Sequence, residues 1–98
     1  MVKLIWSPRA VEDLDAACAF IARDSDKYAY LFAERIIALI ETIPANPLAG
    51  GVVPEYDLVD LRERLYQNYR IVYRVHKNAV EVVAIVHGAR LLPPIPPE

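Results

Sequence analysis

Arginine and histidine side chains that could bind a phosphodiester are concentrated in the last third of the chain. Between residues 61 and 90 they are Arg62, Arg64, Arg70, Arg74, His87 and Arg90. A guanidinium group binds phosphate or carboxylate through two parallel hydrogen bonds, and an imidazole beside it can act as a general acid or base. The set predicts a surface that binds an anionic partner and that could in principle cleave RNA. The alternatives are a surface ion pair for each arginine and a local hydrogen bond at a strand end for His87.

Other catalytic and metal-binding patterns are missing from the sequence. It contains no glycine-rich phosphate loop, no Cys-x-x-Cys and no His-Glu-x-x-His. Ser7 and Ser25 precede helical patterns and are interpreted as helix caps rather than nucleophiles. His76 and His87 would need acidic ligands from elsewhere in the chain to hold a metal, and the single Cys18 is interpreted as a small apolar core residue. We therefore expect no metal and no cofactor.

The basic residues lie on a predicted set of three antiparallel strands. Residues 69–75 and 80–86 are rich in β-branched and aromatic side chains, and residues 76–79 between them are short enough for a hairpin turn. Residues 61–66 predict a third strand that turns at Gln67-Asn68. Because side chains alternate along a strand, one face of the middle strand should bury Tyr69, Ile71, Tyr73 and Val75. The opposite face should then carry Arg70, Val72, Arg74 and His76.

Two amphipathic helices precede these strands. After a short first strand at residues 2–6, Ser7-Pro8 begins a helix that runs to about Arg23, and residues 24–26 cap a second helix that ends before Pro44. The order β-α-α-β-β-β predicts an α+β two-layer sandwich, a helical hairpin packed on a small antiparallel sheet. The sheet face that carries the arginines should be left to solvent or to a partner.

Two segments lack a helical or strand pattern. Residues 44–60 form a long loop, of the kind that is usually functional or mobile, with a possible extra strand at Val52-Val53. Residues 93–98 are proline-rich and predict an extended C-terminal tail. We therefore expect one domain over residues 1–92 followed by the tail. No signal peptide and no membrane-spanning run is recognisable, which favours a cytoplasmic protein without a membrane partner.

Charge is distributed unevenly along the chain. Residues 1–60 contain five Lys or Arg against ten Asp or Glu, a balance of −5, whereas residues 61–90 contain six against two, a balance of +4. The net charge is −2 and the pI is about 5.6. The predicted strands are thus basic and the rest is acidic, which favours an anionic partner for the sheet.

Four short motifs follow one another in an order and spacing that resemble the RelE/ParE superfamily of bacterial toxins. They are Trp6-Ser7-Pro8-x-Ala10 with Asp13-Leu14, Leu61-Arg62-Glu63, Asn68 to Val75, and Val86-His87-Gly88-Ala89-Arg90. The resemblance covers Leu4 to about Leu91. It implies the toxin of a type II toxin–antitoxin, or plasmid stabilisation, system.

Two activities occur within this superfamily. RelE-like toxins cut mRNA on the ribosome, and Arg70 stands where they place a phosphate-binding arginine, so that Arg70, His87 and Arg90 would be the catalytic candidates. The sequence departs from that branch, because no tyrosine follows Tyr73 and because Arg62 and Arg64 replace paired lysines. The acidic pI also disfavours entry into a ribosome. His87-Gly88-Ala89-Arg90 looks more like the ParE branch, whose members inhibit DNA gyrase and are not thought to be nucleases.

The resemblance also implies the partners. They are a cognate antitoxin, ParD-like or similar, which wraps an amphipathic segment around the toxin, and DNA gyrase as the target. Toxin and antitoxin can assemble into a higher-order hetero-oligomer. We expect acidic side chains of the antitoxin to pair with Arg62, Arg70 or Arg74, while its apolar side chains cover Val72 and the off-stripe apolar residues of the helical hairpin.

Overall fold

The computed structural model of the protein describes residues 2–88, so Arg90 and the proline-rich residues 93–98 lie outside the described part of the chain. Two short 3-10 turns, Ile43–Ala45 and Pro47–Ala49, follow the second helix. The helices and strands are β1 (Lys3–Trp6), α1 (Pro8–Ala22), α2 (Asp26–Thr42), β2 (Gly51–Val52), β3 (Leu61–Tyr66), β4 (Tyr69–Val75) and β5 (Ala79–His87).

The five strands form one sheet in the order β1-β5-β4-β3-β2. Strands β2 to β5 pair antiparallel, and β1 lies parallel to β5 at the edge of the sheet. The α+β sandwich predicted from the sequence is confirmed, with the addition that the parallel edge strand makes the sheet mixed. The possible strand at Val52-Val53 is found one residue earlier, at Gly51–Val52. No helix within residues 2–88 has the length and apolar character needed to cross a membrane.

Both helices begin at the serines that the sequence indicates. The Ser7 hydroxyl accepts a hydrogen bond from the Ala10 amide, with Pro8 at the first helical position, and the Ser25 hydroxyl accepts one from Tyr28. The two helices bury one stripe each against the sheet. The main core therefore combines helix and strand residues: Ala10, Ala17, Phe32, Ile36, Ile40, Ile43, Ile71, Tyr73, Val80, Val82 and Ile85.

A β-bulge in β5 changes which residues of that strand face the helices. Val72 pairs with Ala84 but Tyr73 pairs with Val82, so Val83 is the extra residue. Val82 therefore belongs to the helix-facing core, whereas Ala84 packs on the opposite face although it lies an even number of residues further on. Strict alternation along residues 80–86 would have placed both on one face.

Two backbone groups of β5 close to the bulge are bonded by side chains of α1 and its cap. The Ser7 hydroxyl donates to the Val83 carbonyl at 3.0 Å, and the Asp13 carboxylate accepts from the Ile85 amide at 2.9 Å. Asp13 also contacts the Arg9 guanidinium at 3.5 Å. Because a buried backbone group without a partner is costly, these bonds attach α1 to β5 at a defined register.

A second, smaller core lies on the sheet face that points away from the helices. Val53 of the connecting segment packs there and is fully buried, together with Leu61, Val72, Ala84 and Val86. The expectation that this arginine-bearing face is left open is therefore wrong for residues 2–88. The loop covers it because Val72 and its apolar neighbours would otherwise be exposed to water. We call residues 53–60 the strap.

Removal of the Asp13 carboxylate tests the attachment of α1 to the bulge. We expect Asp13→Ala to lower the free energy of unfolding by about 1–3 kcal/mol, because the Ile85 amide loses its acceptor. Asp13→Asn keeps an acceptor oxygen and should cost clearly less. Urea unfolding followed by circular dichroism measures both values. Equal losses in the two variants would show that the charge, not the hydrogen bond to Ile85, is what stabilises the fold.

Candidate functional site

Arg70, one of the predicted site residues, is bonded to two carboxylates. Its guanidinium bonds Glu63 of β3 through Nε at 2.8 Å and NH2 at 2.7 Å. It bonds Glu55 of the strap through NH1 at 2.6 Å and NH2 at 2.7 Å. The Arg70 side chain is only 9% exposed. The hydrogen bonds that Arg70 donates to Glu55 raise the pKa of Arg70 further above its usual range, whereas burial acts to lower this pKa.

Arg74 lies on the same sheet face and is also bonded to the strap. Its NH1 lies 3.4 Å from Asp60, whose backbone carbonyl accepts from the Val75 amide at 2.7 Å. The Arg74 side chain is 6% exposed. The strap thus holds this face at two points, through Glu55 and through Asp60.

Arg62 has a structural role on the opposite face. In the strand register it pairs with Tyr73, which belongs to the helix-facing core. Its guanidinium donates to the carbonyls of Val59, Leu48 and Gly50, at 2.8, 3.3 and 3.0 Å. One side chain therefore joins the two ends of the segment between α2 and β3.

The Tyr73 hydroxyl supports the same segment from inside the core. Tyr73 is fully buried, and its hydroxyl donates to the Pro47 carbonyl at 2.6 Å. Gly50 lies against this ring so closely that an added Cβ would overlap the Tyr73 hydroxyl and the Glu63 carbonyl. Burial raises the pKa of Tyr73, while the Gly50 backbone and the charges of Arg64 and Arg62 act to lower it.

His87 is separated from Arg70 by the sheet itself. Arg70 pairs with Val86 on the strap face, whereas His87 pairs with Tyr69, and its ring meets the Tyr69 ring edge-on with centroids 5.6 Å apart. His87 is exposed at a cleft of about 200 Å³ that Arg9 and Asp13 of α1 also line. Arg64 pairs with Ile71 and so points to the helix side as well.

The structure thus places the five described members of the predicted set on two different faces of the sheet. Arg70 and Arg74 share the strap face and are bonded there; Arg62, Arg64 and His87 lie on the other face; Arg90 lies outside the described residues. Across residues 2–88, no three His, Cys, Asp or Glu side chains come together as metal ligands would.

Sequence reasoning missed the carboxylates that bond the arginines. The position of Glu63 could have been found, because a turn at residues 67–68 places Glu63 on the same face as Arg70 on the adjacent strand. Glu55 and Asp60 had no such signal, since they come from an irregular segment whose path follows no periodicity.

Solved structures with the same fold come from toxin–antitoxin systems. A chain described as the "chromosomal ParDE TA system from P. aeruginosa" has a TM-score of 0.74 at 18% identity, covering 89% of this chain and 96% of that one. The YoeB dimer from Staphylococcus aureus has a TM-score of 0.57 at 20% identity, covering 85% and 92%. The heterotetrameric YoeB–YefM complex from the same organism has a TM-score of 0.54 at 20% identity, covering 86% and 93%. At sequence identities of 18–20%, the structural similarity shows that the chain shares the fold of these proteins.

The sequence defines the family within that class. The family model described as ParE toxin of the type II toxin–antitoxin system parDE matches residues 4–92. The chain therefore belongs to the ParE toxin family, and the resemblance inferred from its motifs is confirmed. No curated protein matches the sequence significantly.

The buried phenol of Tyr73 predicts a loss of stability at alkaline pH. A group whose pKa is raised on folding stabilises the fold fully below its unfolded pKa, here 10.0, and this contribution is lost as the pH rises through the higher folded pKa. Tyr73→Phe should cost about 0.5–1.5 kcal/mol near neutrality, through the lost hydrogen bond to Pro47, and should lose less stability than the wild type above about pH 10.

Urea unfolding at a series of pH values measures this difference. Tyr30→Phe is the matched control because Tyr30 is 67% exposed. An identical alkaline slope in Tyr73→Phe and the wild type would contradict the assignment of the buried phenol.

Proposed function

We propose that this ParE-family toxin inhibits DNA gyrase, does not cut mRNA, and is neutralised in the cytoplasm by its cognate antitoxin. Membership of the ParE toxin family supports the proposal that the target is DNA gyrase. One observation supports the proposal that mRNA is not cut: Arg70, the candidate phosphate ligand, is bonded on two edges by Glu55 and Glu63, and His87 lies across the sheet from it.

RNA cleavage by general acid–base catalysis requires both groups at one phosphodiester. The phosphate ligand and the proton donor must lie within hydrogen-bond reach of the same reacting group. A change of side-chain rotamer does not bring Arg70 and His87 together, because they project from opposite faces of paired strands. The net charge of −2 adds to the argument, since ribosomal RNA favours cationic proteins.

The predicted binding residues take different roles in this proposal. Arg62, Arg70 and Arg74 hold the chain's own segment between α2 and β3. Arg64, His87 and Arg90 are the members of the predicted set that we propose for contact with the target. The exposed position of His87 beside the cleft at α1 supports this division.

The antitoxin is proposed to bind mainly through apolar contacts on the helical hairpin. Three aromatic side chains of the hairpin, Phe20, Tyr28 and Tyr30, are 63%, 56% and 67% exposed. A mostly apolar groove of about 250 Å³ lies between α1, α2 and the end of β1, lined by Trp6, Val11, Leu14, Asp15 and Ile37. An exposed apolar surface of this kind is typical of a protein interface.

The strap face, which carries Arg70 and Arg74, provides weaker binding for antitoxin carboxylates than the sequence suggests. A carboxylate that approached Arg70 or Arg74 would have to displace Glu55 or Asp60, so the exchange would yield little net energy. The heterotetramer formed by YoeB and YefM supports proposing a higher-order hetero-oligomer here as well.

The activity is tested with purified components. We expect the toxin to inhibit DNA supercoiling by gyrase or to trap cleaved DNA, and to leave mRNA intact in a reconstituted translation reaction. Toxin saturated with its antitoxin is the control and should leave gyrase active. Ribosome-dependent cleavage of mRNA with unaffected gyrase would reverse the proposal.

The antitoxin site is tested by placing a charge on each candidate surface in turn. Val11→Glu introduces a carboxylate at the groove, where Val11 is 46% exposed, and Leu65→Glu does the same on the arginine face, where Leu65 is 67% exposed. We expect Val11→Glu to weaken antitoxin binding at least tenfold, or by more than about 1.4 kcal/mol, because a charge must be desolvated. Leu65→Glu should leave the affinity unchanged. Calorimetric titration showing the opposite pattern would move the antitoxin to the arginine face.

A further inference from the structure

The groove between the two helices and the end of β1 combines an apolar lining with a negative charge. Its apolar lining consists of Trp6, Val11, Leu14 and Ile37. The remaining lining residue, Asp15, is exposed and carries a carboxylate. Burial, and after it the charge of Asp15, raises the pKa of the Cys18 thiol, which lies one turn further along α1. A partner that fills the groove must therefore accommodate a carboxylate as well as apolar surface.

Three further carboxylates lie beside this lining. Residues three or four positions apart are neighbours on the surface of a helix. By this spacing Glu12 lies beside Asp15 on α1, and both Glu34 and Glu41 lie beside Ile37 on α2. All three glutamates are exposed. Among residues 2–88, no ion pair involves any of these three side chains or Asp15.

No cationic side chain lies on the same part of the helical surface. The positions three and four residues away from the helical lining residues hold apolar residues, Ser, Pro, Asp or Glu, and none holds Lys or Arg. Residues 8–42 together contain four Lys or Arg against seven Asp or Glu, a balance of −3. Tyr30, which is 67% exposed, precedes Glu34 by one turn, so that one cation could contact both the ring and the carboxylate.

We propose that the antitoxin segment that fills this groove is cationic as well as apolar, with Lys or Arg side chains that face Asp15, Glu34 and Glu41. The inference rests on the proposed function, which places the antitoxin on the helical hairpin. It reverses the charge that the sequence predicts for the antitoxin. An acidic segment would bring like charges together at the groove, which costs energy, whereas a cationic segment would compensate carboxylates that the toxin leaves without ion pairs.

A matched pair of substitutions at Val11 separates the charge of the partner from the position of its site. Val11 is 46% exposed, and Val11→Lys and Val11→Glu each place a charge in the groove. The probe is the purified full-length antitoxin, titrated calorimetrically into the full toxin chain. We expect both variants to bind more weakly than the wild type, and Val11→Lys to lose at least about fivefold more affinity than Val11→Glu, because only the lysine repels a cationic segment.

The outcomes at Val11 distinguish this inference from the proposed function. Equal losses, or a larger loss in Val11→Glu, would overturn the cationic partner while keeping the groove as the antitoxin site. Wild-type affinity in both variants would overturn the groove as the site and the inference with it. Neither result depends on the gyrase assay, since binding is measured directly.

Removal of one carboxylate gives a second measurement. Asp15→Asn should slow association with the antitoxin at least about threefold at low ionic strength, and the difference should disappear near molar salt, because exposed charges are then screened. Asp57→Asn is the matched control: Asp57 is an exposed strap residue with φ of 51°, a conformation that asparagine tolerates. It should associate like the wild type. Equal slowing in the two variants would show a general effect of net charge and overturn the inference.

The antitoxin segment itself provides the direct check. Hydrogen exchange identifies the part of the antitoxin that is protected only when Val11 is intact, and this segment should contain more Lys and Arg than Asp and Glu. A protected segment without such an excess would overturn the inference even where the groove is confirmed. Circular dichroism verifies the fold of each variant, and because every substituted side chain is exposed, we expect all of them to fold.

Discussion

The shape of the strap face follows from the need to compensate one nearly buried positive charge. Arg70 projects from the central part of the sheet, where an unpaired guanidinium would cost several kcal/mol. Compensation requires Glu63 from the neighbouring strand and Glu55 from the connecting segment, which brings that segment across the sheet. Once the segment lies there, Val53 completes an apolar cluster with Val72 and Ala84, and Asp60 reaches Arg74. Ion pairs to Arg70 and Arg74 and the apolar cluster around Val53 thus together hold an irregular segment whose path local propensities leave undefined.

On the other face, the bulge in β5 defines how the helices attach. Close to this bulge, the Val83 carbonyl and the Ile85 amide of β5 are bonded by Ser7 and Asp13. The same Ser7 hydroxyl accepts from the Ala10 amide, so one side chain both begins α1 and fixes it to the sheet. The motif at residues 6–14 that identified the superfamily is therefore explained by bonding: its polar members hold the irregular strand in register.

The sequence was sufficient to predict the helices, their caps and the main strands, because each of these has a local periodicity or a capping residue. Alternation alone predicts that Ile71 and Tyr73 belong to the core, and both are fully buried. The bulge was not predictable, since residues 80–86 are apolar at nearly every position and either face assignment satisfies the pattern. The division of the basic residues between two faces follows partly from the alternation of side chains along a strand. Alternation places Arg70 and Tyr69 on opposite faces, and His87 shares the face of Tyr69 because the two residues are paired. The strap covers this face through contacts such as those between Glu55 and Arg70. These residues are 15 positions apart, and no local sequence pattern predicts that they meet.

The position of β1 has a consequence for how the protein is made. Lys3 to Trp6 pair with Ala79 to Val82, and Ser7 bonds a carbonyl 76 residues away. Strand β1 therefore has no partner until residues 79–82 have been translated, and contacts of such long range are formed slowly. A growing chain that still lacks residues 79–87 can form its helical hairpin but cannot complete the sheet. Completion of the sheet thus follows the synthesis of residues 79–87, after the helical surface proposed for the antitoxin has already emerged.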